Sequence, residues 1–286
     1  IEGIITTVLA KQYRSSFAYK NGITNAFLCS FYRVATLGSG SGVAAIIYLG
    51  EHGIEYGGGF GLYMIQYALH KISIALFSAI FFVMNWEFMR NWFGDYAGLL
   101  AAGYALTLVI TLGLFLFCCS NRFHHLICRL LDFANQKFHG KFEIMAEEIK
   151  RQCMMLEDAS NHLMKNKKVT TEVIFLCLLK CCFWYGIPYL LFKGVQFQGN
   201  PALSLSQVLA ITSLSVMLAA VIPSPAGIGS TEFVFTTLFA GIVGTGIAGS
   251  ASLLYRFGTF VFPFLVGAVV VLVRHFKRKK LSSGSI

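Results

Sequence analysis

The apolar residues of this chain come in long unbroken runs, and that feature limits its fold more than any other. Crossing a ~30 Å hydrocarbon core as a helix takes about 20 mostly apolar residues. Four or five segments meet that length: 61–84, 98–119, 171–193, 205–222 and 250–273. Residues 233–247 are apolar but shorter and Gly-rich. Charged residues make up only 13% of the 286, against ~25% in soluble domains, and apolar residues make up 56%. A soluble α/β enzyme, a disordered chain and a small disulfide-stapled module are therefore excluded. The expected fold class is all-α: a polytopic integral membrane bundle forming one domain over 1–286. Residues 1–10 read as the tail of an earlier apolar helix, so an N-terminally truncated chain is expected.

The net charge of +10 would suggest nucleic acid if it were spread over one soluble surface. Instead, three of the 23 Lys and Arg fall in 1–20, nine in 121–168 and five after Val273. Basic residues gathered in a few loops mark the cytoplasmic side of a bilayer protein. No direct nucleic-acid binding is expected. Residues 121–168 also carry six acidic side chains, with apolar residues at helical spacing on either side of Gly140. They read as a cytoplasmic helical hairpin insertion, lying against the membrane or the bundle. The segment 274–286 reads as a basic cytoplasmic tail. Segment 195–204, with no Lys or Arg, then falls outside. Residues 205–247 must begin and end there, as two spans or as a re-entrant hairpin.

Residues 23–49 are long enough to cross, but Gly38, Gly40 and Gly42 cut them into pieces of 15 and 7 residues, 23–37 and 43–49. Neither piece crosses alone, so this segment is expected to enter and leave on the cytoplasmic side. A second interruption, Pro223-Ser-Pro-Ala-Gly-Ile-Gly-Ser-Thr-Glu232, places Pro223, Pro225, Gly227 and Gly229 between hydrophobic helices. Irregular backbone survives at membrane depth only when buried in protein or lining a cavity. Two re-entrant hairpins from opposite faces form the inverted arrangement that transporters build around a midplane site.

Ionisable residues inside spans are functional candidates by default. Arg256 interrupts the last apolar run, and Glu232 is its natural partner. Lys71 and Lys180 are further in-span cations, and Arg33 precedes the first break. These five are the candidate headgroup-binding residues. No catalytic residue is identified. The eight cysteines form no CxxC pair, and His124, His125 and His139 lack ligand spacing, so no metal and no cofactor is expected. The GxGxxG match at 244–249 has no strand before it and reads as helix packing.

The second interruption, followed by Leu254-Tyr-Arg256 and a last apolar helix with a basic end, resembles the lysylphosphatidylglycerol synthase transmembrane-region family. Ser30-Phe-Tyr-Arg-Val-Ala-Thr36 through Gly42, Ile47 to Ile54, and Tyr67-Ala-Leu-His-Lys71 resemble its first half. Leu37 departs from the family, which usually has Pro after the Thr. The resemblance implies a flippase-like membrane domain, such as that of the multiple peptide resistance factor, in the bacterial cell membrane. There it would translocate aminoacylated phosphatidylglycerol and so confer resistance to cationic antimicrobial peptides. The alternative it implies is the membrane part of a phosphatidylglycerol lysyltransferase, presenting lipid to a separate aminoacyltransferase; the soluble catalytic domain is expected to lie outside this chain. Its implied partners are phosphatidylglycerol or lysyl-phosphatidylglycerol, with a separate transferase and a homo-oligomer both allowed.

Overall fold

The computed structural model describes residues 1–137, 143–194 and 203–283. Of the described residues 89% are helical, and no strand occurs among them. The helices are α1 (Glu2–Tyr13), α2 (Tyr19–Ala35), α3 (Gly40–Glu51), α4 (Tyr56–Met84), α5 (Trp86–Phe93), α6 (Ala97–Cys119) and α7 (Asn121–Lys137). They continue with α8 (Glu143–Leu163), α9 (Lys167–Gly194), α10 (Leu205–Ala219), α11 (Ser230–Val243), α12 (Thr245–Arg256) and α13 (Phe262–Ser283). Among the described residues, five segments are long and apolar enough to cross a membrane: Tyr56–Met84, Gly98–Cys119, Lys167–Gly194, Pro225–Val243 and Thr245–Lys277.

One expected span changes. Helix α10 stops at Ala219 after 15 residues, short of the length expected for 205–222. Pro223 lacks an N–H and disfavours helical backbone just before it, so residues 220–222 close with tighter i→i−3 bonds. The segment of spanning length in this region is instead Pro225–Val243, which takes in part of the second break and α11. The last apolar run is also longer than expected. A π-helical turn, Phe257–Val261, joins α12 to α13 in one rod, of which Thr245–Lys277, 33 residues, is the spanning-length part.

Helix α4 is the hub, packing against α3, α6, α8, α9 and α10. One core gathers Phe77, Tyr185, Ile211, Phe235 and Phe239; the other gathers Ile5, Leu9, Leu62, Leu69 and Leu163. Helix α13 lies along α2, where Phe31 and Phe264 stack with centroids 5.4 Å apart. Close approach there needs a missing side chain: a Cβ on Gly267 would run into the Phe27 carbonyl.

Within 121–168, α7 and α8 pack together, joined by the Lys150–Asp132 ion pair, and α8 also rests on α4, α6 and α1. Residues 138–142, with Phe138, Gly140 and Phe142, lie outside the described residues, as do 195–202 and 284–286. The basic segment after Val273 continues α13 as helix to Ser283, and Arg274 reaches Glu51 of α3 at 2.5 Å.

Candidate functional site

Helix α2 ends in a Schellman turn. The Gly38 N–H donates to the Arg33 carbonyl at 2.7 Å, and that of Leu37 to Val34 at 3.2 Å. Leu37 carries the left-handed conformation, φ 54°, that this turn usually gives to glycine, and Gly38 follows at φ 113°. Thr36, at the end of α2, reaches forward to the first residue of α3, its hydroxyl accepting from the Gly40 N–H at 2.6 Å. Gly40 and Gly42 therefore lie inside α3, not in the turn. Gly42 gives α3 room against α4: a Cβ there would meet the Tyr63 ring at 3.0 Å.

The second break runs from Ala220 to Gly229. Ala226, Gly227 and Gly229 have φ of 54°, 73° and 86°. Ser224 and Ser230 hydroxyls bridge it at 2.6 Å. Pro223 and Pro225 lie within it; Pro225 opens a single 3₁₀ turn. The two breaks lie close together: a Cβ added on Gly38 would lie 3.5 Å from the Ala226 nitrogen. Ala226 in the left-handed region carries strain of about 1–2 kcal/mol, which glycine escapes at an entropic cost of about 0.5–1. Ala226→Gly should hold or slightly raise the thermal midpoint in detergent, and the β-branched Ala226→Val should lower it. The reverse order would show that the turn has another conformation.

Glu232 and Arg256 meet beside this break. Arg256 Nε donates to Glu232 Oε1 at 2.7 Å and its Nη2 to the Gly227 carbonyl at 3.1 Å. The other Glu232 oxygen accepts from the Gly229 N–H at 2.9 Å, capping α11. Arg256 also stacks on Phe260, 4.3 Å from the ring centre, in the π-turn. The side chains are 13% and 27% exposed, so the pair is sheltered but reachable.

Lys180, at the middle of α9, is placed elsewhere. It is 3% exposed and pairs with Glu2 of α1 at 2.5 Å. His70 Nε2 lies 3.4 Å from its ammonium, and Gln66 donates to the other Glu2 oxygen at 2.8 Å. Glu2, Gln66 and His70 were not expected partners. The signal for Glu2 was available: it is the one carboxylate in residues 1–50, and a mid-helix lysine needs a counter-charge.

Lys71 sits apart from both ion pairs. It lines a cavity of ≈ 140 Å³ with Tyr67 of α4, Thr107 and Thr111 of α6, Met217 of α10, and Val221. Its ammonium lies 5.4 Å from the Tyr67 ring centre. Arg33 is within Coulombic reach of Tyr63, Tyr67, His70 and Lys71. Of the five candidates, then, Glu232 and Arg256 are joined, Lys71 lines the cavity with Arg33 exposed within Coulombic reach of it, and Lys180 is taken by Glu2. Among the described residues, no cluster of three or more His, Cys, Asp or Glu could hold a metal ion.

Spanning-length apolar helices, two breaks brought together and charges paired within the bundle define a multi-pass helical membrane protein. Residues 5–267 match the family model of the lysylphosphatidylglycerol synthase TM region, and the chain belongs to that family. No curated protein and no solved structure matches it.

Proposed function

We propose that this chain is a lipid translocator of the flippase type, moving aminoacylated phosphatidylglycerol or a related anionic or modified phospholipid between leaflets of a bacterial cell membrane. In that role it contributes to resistance against cationic antimicrobial peptides. The meeting of the two breaks, with the Glu232–Arg256 pair beside them, carries the reading. A guanidinium held by a carboxylate, a carbonyl and an aromatic face is preorganised to exchange a partner for a headgroup phosphate. Positive-φ backbone gives the headgroup a route that unbroken helices would close.

The orientation that goes with this reading puts 121–168 and 274–286 in the cytoplasm and 195–204 outside. The α2–α3 and α10–α11 pairs are then re-entrant hairpins from opposite faces. The test is reconstitution of the purified chain in vesicles holding headgroup-labelled phosphatidylglycerol, with an impermeant quencher outside. Label should become accessible from the inner leaflet faster than in empty vesicles. Movement only when an aminoacyltransferase is added would favour the lipid-presenting role instead. No movement with either would end the proposal.

A further inference from the structure

Four of the cations in or beside the apolar helices are Arg33, Lys71, Lys180 and Arg256, and the carboxylates that answer them in the structure are Glu2 and Glu232. Lys180 and Arg256 take those two. Arg33 and Lys71 have no ion-pair or hydrogen-bond partner among the described residues, and they are not scattered. Arg33 lies within Coulombic reach of the α4 face formed by Tyr63, Tyr67 and Lys71. Lys71 opens into the ≈ 140 Å³ cavity, well above the ~10–15 Å³ that one water needs. An ammonium away from bulk water is costly without an anion, and a second cation nearby raises that cost.

The surroundings choose the anion. Lys71 offers rotatable donors, Tyr67 and Thr111 add hydroxyls on the cavity wall, and Arg33, exposed and off that wall, adds positive charge nearby. That set suits a tetrahedral group with several acceptor oxygens. Arg33 stands four residues before Leu37, where the first break turns, and Val221 on the cavity wall stands two residues before Pro223. We infer that this cavity is a phosphate site in which Lys71 on the wall holds the anion while Arg33, exposed and outside the wall, adds positive charge, and that Lys180 takes no part in it. The ligand class is a phosphate ester or free phosphate. That the phosphate arrives on a lipid rests on the function proposed above.

Calorimetric titration of the detergent-purified chain tests this with three probes: dihexanoyl phosphatidylglycerol, inorganic phosphate and dihexanoylglycerol, which has no phosphate. The phosphatidylglycerol should bind and dihexanoylglycerol should not. Lys71→Met should weaken binding about tenfold or more, as expected for losing a charged hydrogen bond, and Arg33→Gln should weaken it severalfold through the loss of a nearby charge. Lys193→Met, at the far end of α9, should leave it unchanged. If Lys71→Met does not fold, Thr111→Val should still weaken binding severalfold. Competition by inorganic phosphate would make free phosphate a ligand as well; its failure would assign the site to the lipid ester. Folded Lys71→Met and Arg33→Gln proteins with wild-type affinity, or equal binding of dihexanoylglycerol, would overturn the site. Binding without headgroup movement in vesicles would remove the proposed function and leave the site standing. Headgroup movement with wild-type affinity in Lys71→Met would do the reverse.

Discussion

Arg256→Ala should destabilise the protein by about 3 kcal/mol, near the lower end of what breaking a buried ion pair costs. The lower end applies because Glu232 keeps the Gly229 N–H as a donor and is 27% exposed. The loss has three parts: an unpaired carboxylate, a Gly227 carbonyl without its guanidinium donor, and an unfilled place on Phe260. Glu232→Gln with Arg256→Met removes both charges and fills most of the volume, so the double variant should unfold at a higher temperature than Arg256→Ala. Equal midpoints would mean that the pair adds no coupling. Function divides the roles further. If the guanidinium also receives the headgroup, the stable double variant should be inactive in vesicles, and Arg256→Lys should recover part of the rate, because an ammonium cannot make the two-pronged contact. Full activity in the double variant would reduce the pair to a structural brace.

The second large effect is expected at Gly22, where α2 crosses α1. A Cβ there would run into the Gly3 carbonyl and the Thr7 hydroxyl, which already donates to that carbonyl at 2.7 Å. Backbone cannot swing aside as a side-chain tip can, so the two helices must separate. Gly22→Ala should cost about 1–3 kcal/mol, the usual range for overpacking. Gly113→Ala is the control, since nothing lies within 4 Å of its added methyl. There the substitution should stabilise by up to about 1 kcal/mol through helix propensity alone. Thermal unfolding of both proteins in one detergent gives the comparison. A shared sign would show that the α1–α2 crossing is looser than this.

Much of this fold was legible because hydrophobic length is a local property. The runs at 61–84, 98–119 and 171–193 became α4, α6 and α9, and both interruptions appear where glycine and proline cluster. Residue type was less informative inside the first break. Its positive-φ turn falls on Leu37 and Gly38, because the bonds closing α2 fix which residue must turn left-handed, and Gly40 and Gly42 are taken into α3. The Glu232–Arg256 pair could be read ahead because both ends lie on a continuous stretch with recognisable motifs. The Glu2–Lys180 pair joins residues 178 apart in the chain, and pattern alone cannot say which distant helix lies alongside α9. The cavity at Lys71 is harder still, since it exists only where α4, α6 and the end of α10 leave space between them.

The rod made by α12 and α13 touches both halves of the molecule. One end holds the second break through Arg256; the other lies on α2 through Phe264 and Gly267 and reaches α3 through Arg274. Between them sits the wide turn Phe257–Val261. Each residue of an α-helix advances the winding by about 100°, so a one-residue change of register at that turn rotates everything beyond it by that amount. Phe264 would leave Phe31, and Gly267 would no longer face the Phe27 carbonyl. The wide turn thus sets the phase between the Arg256 end and the α2-facing end, and a twist started at either end must pass through Phe260, the ring on which Arg256 rests.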